Sequence, residues 1–327
     1  MSGLPRRRPG VPDRDEELLL RVCFLPDEQA ARLWDERGVG ISIEALDPEA
    51  HGLLPLLHRR LLELDRRPPV LEKLGGVRRR LWVQNELRLR STATALDTLG
   101  AAAVPASLLG GVAVLAGHLG SLDLRPLHDV EILVPAPDVG AAMQVLAESG
   151  WEPGAQWRNG YLLDVGARRL SDAEGRSVVL CWSSEPPYAD AIERSRFAEV
   201  ASTAVPVIDP ADLLVHVLLD GSRALPRASV RWASDALAVL TYGPAVDPGR
   251  LVAGATARRA GATVRSALDQ LDRLVPIDLD AGCMAMLAPA RRPWWERLLG
   301  ADAAGPTTAV RAAVRRRSGH RSNAEAQ

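Results

Sequence analysis

The chain is poor in lysine, cysteine and aromatic residues, and it has no long uncharged apolar run. Of its 40 basic residues only Lys73 is a lysine. Planar guanidinium groups suit phosphates and carboxylates, although genome composition explains the bias as simply. The three cysteines, Cys23, Cys181 and Cys283, stand far apart and odd in number. They fit neither a disulfide framework nor a zinc spacing, so a reducing cytoplasm is the expected location. Aromatics make up 4% of the residues, and none interleaves with the arginines as a base-stacking platform. Residues 18–24 are too few, and too interrupted by Arg21, to span a bilayer. The arginines near the start lack the apolar segment of a secretory signal. A net charge of −1 supplies no global field toward nucleic acid or an acidic membrane. What is abundant is core-forming material, with 47% hydrophobic residues.

The pattern along the chain divides it into five parts. Residues 1–13, rich in proline, glycine and arginine, read as a disordered leader. Residues 14–100 are helical: expected helices lie at 16–24, after Pro26, at 48–64 up to the Pro68-Pro69 break, and at 77–99. The arginines of that last helix read as a solvated face in preference to a nucleic-acid patch. Residues 101–208 change texture to short strand-like runs at 132–134, 161–165, 177–182 and 204–208, with a helix at 139–150. Helices return over 209–300 after Asp209-Pro210, at 213–219, 230–240, 250–261, 262–274, 279–287 and 294–299. Residues 301–327 form a basic tail expected to be disordered. The whole is an α+β protein: a small mixed-sheet core flanked by N- and C-terminal helical segments.

Chemistry concentrates in residues 108–134. A Gly110-Gly111 corner follows two leucines, a helix-like run follows the corner, and a polar loop carries Arg125. The stretch then closes on a strand in which one residue separates Asp129 from Glu131. Alternation along a strand points both carboxylates to one face. Side by side they repel unless a cation lies between them. Such an oxygen donor set suits Mg2+, which takes one or two carboxylates and completes its shell with substrate phosphates.

With these residues in view, residues 105–151 resemble the nucleotidyltransferase fold of the DNA polymerase β superfamily. More narrowly, the chain resembles a bacterial nucleotidyltransferase family in which a short core is wrapped by helices. The family pattern is a leucine run with Lys-Gly, an arginine, two acids alternating with hydrophobic residues, and a helix ending in Gly-Trp. It corresponds here to Leu108–Gly111, Arg125, Asp129 with Glu131, and Gly150-Trp151. Weaker similarity extends over residues 16–240, through Pro55–His58, the helix containing Asn85, the apolar run before Gly221, and Arg231-Trp232-Ala233-Ser234-Asp235.

The resemblance implies a Mg2+-dependent transfer of a nucleoside monophosphate from an NTP to an acceptor. Asp129 and Glu131 would hold the metal as the catalytic pair, Gly110 and Gly111 would cradle phosphate, and Arg125 would bind the nucleotide. The chain departs from the pattern at four positions. Val179 stands where the family carries a third acid, Cys181 and Asp220 where it carries histidines, and Gly110 where it carries lysine. A valine cannot ligate a metal. The alternative implied is therefore a catalytically degenerate member serving as a binding or regulatory module; for an active enzyme, Asp164 is the one substitute for the lost acid. The acceptor and the choice of NTP are not readable from the sequence. No membrane partner is expected, and nucleic acid is a third reading carried only by the arginine-bearing helix and basic tail.

Other residues have plainer readings. His128 reads as a solvent-facing loop residue, His118 and His216 as satisfied residues in apolar helices, and Cys181 as a small buried hydrophobe rather than a nucleophile. Asp235 reads as orienting a site group, as a helix contact, or as a residue at the protein surface. Trp294 and Trp295 read as packing of a terminal helix.

Overall fold

The computed structural model describes residues 12–154, 166–183, 188, 190–200, 203–222 and 230–287. Its first helix, α1 (Arg14–Phe24), starts at a capping box. The Asp13 carboxylate accepts from the Glu16 backbone N–H, and the Glu16 side chain reaches back to the Asp13 N–H. Pro26 sets up α2 (Asp27–Arg37). A 3-10 turn at Ala50–Leu53 leads into α3 (Leu54–Glu63), which buries Leu54, Leu56, Leu57 and Leu61. The long helix α4 spans Leu71–Ala101 and so begins well before the expected residue 77. Gly75 explains the difference. There the helix passes close to α3, and a Cβ would stand 3.2 Å from His58 Nε2, so glycine serves packing rather than a break.

The core of the fold is one seven-stranded mixed sheet among the described residues, in the order β3-β4-β5-β2-β1-β7-β6. Its strands are β1 (Ser107–Leu109), β2 (Glu131–Pro135), β3 (Glu152–Pro153), β4 (Gly166–Ser171), β5 (Ser177–Ser183), β6 (Arg196–Val200) and β7 (Thr203–Val207). The central strand β2 pairs antiparallel with β1 and parallel with β5. Ile132, Leu133 and Val134 are all buried, as befits a strand covered on both faces. The expected strands at 132–134, 177–182 and 204–208 are present, and the one at 161–165 lies outside the described residues. Four strands were not expected: β1, β3, β4 and β6. β1 and β3 are very short, and the arginines of β4 and β6 hide their alternation.

Between β1 and β2 the chain forms α5 (Gly110–Val114), extended by a π turn over Leu115–Leu119 that stops at Gly120 in the left-handed region. Helix α6 (Val139–Glu148) follows β2 and packs on α4. After the sheet, Asp209 accepts from Ala211 N–H and starts α7 (Pro210–Ser222). This apolar helix contacts α5, α8 (Arg231–Thr241), α9 (Pro248–Ala257) and α10 (Gly261–Leu274). A short α11 (Ala281–Met286) closes the described chain, and the expected helix at 294–299 lies beyond it.

Candidate active site

The site forms where β1 turns into α5 against the start of β2. Register places Leu109 beside Glu131 and Glu131 beside Val179. Asp129 sits just ahead of β2 rather than within it, although a ladder bond from Val179 N–H to the Val130 carbonyl (2.7 Å) carries the pairing back to its neighbour. The Gly110-Gly111 corner is built around these charges. Gly110 has φ +63°, and a Cβ there would stand 2.1 Å from Glu131 Oε2. A Cβ on Gly111 would stand 2.1 Å from Arg125 Nη1. The glycines thus let the protein's own carboxylate and guanidinium close against the backbone.

Arg125 is held on every side. Its Nε and Nη2 donate to the two carboxylate oxygens of Asp235 at 2.6 and 2.7 Å, and Nη1 donates to the Pro126 carbonyl at 2.9 Å. The pair is nearly buried, with 11% and 9% of the two side chains exposed. Burial disfavours the cation, but Asp235, and after it Glu131, outweigh that effect and raise the Arg125 pKa. The loop beneath is fixed from α4. Asn85 is fully buried, donates to the Leu122 and Arg125 carbonyls, and accepts from Leu127 N–H. Arg78 binds Asp123, which also accepts from Ser121 Oγ. Asp235 is thus not a residue of the open surface; it is nearly buried and holds the Arg125 guanidinium.

The two carboxylates have different neighbours. Asp129 Oδ1 meets Arg169 Nη2 from β4 at 2.8 Å. Glu131 Oε2 lies 3.7 Å from His216 Nε2, and His216 Nδ1 lies 2.7 Å from the Tyr188 hydroxyl. Burial pushes the Tyr188 phenol pKa up. The phenol stays protonated and shares a hydrogen bond with Nδ1, so His216 stands between Tyr188 and Glu131. The apolar-helix reading of His216 located it in the core but missed this contact. The lone polar residue in the run Leu213–Leu219 was the available signal. Arg169 and Tyr188 carried no such signal.

Val179 and Cys181 lie on the same strand face as Glu131. Burial first, and then the charge of Glu131, push the Cys181 pKa far up, so the residue is inert as a nucleophile. His118 donates from Nδ1 to the Tyr242 carbonyl at 2.7 Å, as a satisfied core histidine does. His128 is exposed, as expected. Asp164 and Trp294-Trp295 lie outside the described residues. A cleft of about 230 Å3 borders the site, with Arg125 and Asp235 in its wall and His51, His128, Arg231 and Ser234 around them.

Among the described residues no cluster of three acids, histidines or cysteines forms a ready-made metal cage. The donor set present is Glu131 against the glycine corner and Asp129 two residues before it. That set fits one hard cation whose remaining ligands are phosphate oxygens, and it does not fit a metal held by protein alone.

A mixed sheet with paired acids at the mouth of its central strand, behind a glycine corner, defines a nucleotidyltransferase-fold protein. The profile of a family described as uncharacterised nucleotidyltransferases matches residues 48–276, and the chain belongs to that family. Nucleotidyl transfer is the general chemistry that this membership supports. No curated protein matches the chain. Among solved structures it is similar to a lincomycin-bound lincosamide antibiotic adenylyltransferase, at 16% identity over 46% of this chain and 94% of that one, TM-score 0.33. The antibiotic-resistance factor ANT(2'')-Ia is similar at 13% identity over 58% and 98%, TM-score 0.40. An antigenic nucleotidyltransferase-like protein from Paracoccidioides brasiliensis is similar at 15% identity over 62% and 92%, TM-score 0.36. No described helix is long and apolar enough to cross a membrane.

Proposed function

We propose that the protein is a Mg2+-dependent nucleotidyltransferase that moves a nucleoside monophosphate from an NTP to an acceptor seated in the cleft beside Arg125. The observation that carries this reading is Glu131 closed against Gly110, with Asp129 two residues before it at the mouth of the same strand, within the family-matched segment. Asp129 and Glu131 would hold the ion, which supplies charge neutralisation on the triphosphate. Gly110 and Gly111 keep the backbone low enough for phosphate to approach, and Arg125, locked by Asp235, contributes a fixed positive field. His216 steadies the Glu131 carboxylate from behind. The acceptor oxygen bonds to the α-phosphorus as the bond to the departing pyrophosphate breaks. With Val179 on β5, no acid from that strand takes the acceptor's proton, which leaves to Glu131 or to solvent.

The test is calorimetry of the purified chain with each of the four NTPs, with and without Mg2+. Metal-dependent binding that disappears when Asp129→Asn and Glu131→Gln are combined supports the reading. Absence of binding across the panel refutes it. A second reading, nucleotide binding without turnover, is favoured by Val179 facing Glu131 and Arg169 already on Asp129. It predicts binding with no pyrophosphate release, and Asp129-dependent release would exclude it.

A further inference from the structure

Three adjacent strands place Arg169, Val179 and Glu131 in one row, because Arg169 pairs with Val179 on β5 and Val179 pairs with Glu131 on β2. Neighbouring strands lie about 4.8 Å apart, so a guanidinium on β4 must cross the middle strand to reach the acids. It does so over the short apolar side chain of Val179 and meets Asp129 Oδ1 at 2.8 Å. A carboxylate at 179 would intercept it. The loss of an acid on β5 and the arrival of an arginine from β4 are thus one arrangement.

We propose that Arg169 is the resident cation of this site: it holds Asp129 while the site is empty, and it passes to the nucleotide's phosphates when the metal–nucleotide complex enters. The inference rests on the nucleotide-binding reading above. The two arginines of the site differ in the way the proposal needs. Arg125 is bound on both edges by a nearly buried carboxylate and cannot turn. Arg169 Nη2 meets Asp129 Oδ1 at the higher side-chain exposures of 35% and 24%, and its other terminal nitrogen donates to Ser177 Oγ at 3.2 Å. A half-exposed pair of this kind exchanges partners at little cost. A phosphate offers the same planar fork a better, bidentate acceptor. A guanidinium stays charged at any working pH, so the empty site always carries its own counter-ion.

The experiment is a pair of titrations on the full chain, with Mn2+ alone followed by electron paramagnetic resonance and with Mg·ATP followed by calorimetry. Arg169→Met should shift them in opposite directions. Mn2+ alone should bind about tenfold tighter or better, since a unit positive charge has left the carboxylate pair. Mg·ATP should bind at least about tenfold more weakly, since a charged phosphate contact is lost. Asp129→Asn in the Arg169→Met background should abolish the Mn2+ gain. Arg169→Lys keeps the charge but not the fork, so it should leave Mn2+ excluded while weakening Mg·ATP. It also serves as the second variant if the methionine form folds poorly. Unchanged Mn2+ binding, or both affinities falling together, would overturn the proposal. If the wild-type chain binds no Mg-nucleotide, the proposed function fails, while the Mn2+ arm still decides whether Arg169 guards Asp129.

Discussion

The two ion pairs of the site use the same residue types and do opposite things. Arg125 and Asp235 meet fork to fork where water is nearly excluded, above a loop fastened by Asn85 and Arg78. Arg169 and Asp129 meet where their side chains are more exposed, at 35% and 24%. The first pair is a fixed part of the site wall. The second is the pair that we propose rearranges when the nucleotide enters. The comparison teaches that burial fixes the first guanidinium as a preorganised charge, whereas exposure lowers the cost of exchanging partners for the second.

The comparison breaks most sharply on mutation of the acids. Asp235→Ala strands a buried guanidinium, and losing one partner of a buried pair costs about 3–5 kcal/mol. Asp129→Asn removes one partner of a half-exposed pair, for which about 0–1 kcal/mol is expected. Urea unfolding should therefore show a large fall in midpoint for Asp235→Ala and almost none for Asp129→Asn, while metal-dependent nucleotide binding is lost in the latter. Equal midpoints for the two variants would dissolve the distinction between fixture and moving part.

The glycine corner sharpens the same contrast at a smaller scale. A methyl at Gly111 collides with a guanidinium that has nowhere to go, so Gly111→Ala should cost about 1–3 kcal/mol, as overpacking does. A methyl at Gly110 collides with the flexible end of Glu131 and also pays for a left-handed backbone, about 1–2 kcal/mol. Its main effect is to displace the carboxylate. Calorimetry should show weaker Mg-nucleotide binding for Gly110→Ala, by more than its change in unfolding midpoint accounts for.

What could be read from the sequence follows the same division. The glycine corner, the alternating acids before a buried strand, and the proline-started helix at Pro210 are local patterns, and each appears in the fold close to where it was expected. The partners of those residues are not local. Asp235 lies 110 residues from Arg125, and nothing in either segment marks the pairing. Arg169 was hidden because the charged residues of β4 resemble a loop, so the 161–208 region yielded fewer strands than it contains. His216 was hidden by its apolar neighbours, whose helix carries it to Glu131. Periodicity reports which face a residue takes on its own element. It carries no information about which distant element supplies the opposite charge.

The smallest expected effect is on pH, and it falls on the fixed half. Burial, and next the Arg78 cation, lower the pKa of His58; burial lowers that of His118. Arg78 donates to His58 Nδ1 while holding Asp123, so protonating His58 sets a second cation against the clamp on the Arg125 loop. Both folded-state pKa values lie below the ordinary histidine value of about 6.5. Below that value the unfolded chain binds protons that the folded chain refuses, so stability rises with pH through this window. It is complete above the unfolded pKa and is lost as pH falls toward the lowered folded values. The slope is at most about 1.4 kcal/mol per pH unit for each histidine. Urea midpoints at pH 7 and pH 5 should show this loss, and His58→Gln should reduce it, since a glutamine takes up no proton. A midpoint that stays flat from pH 7 to pH 5 would show that the fixed half does not depend on neutral imidazoles.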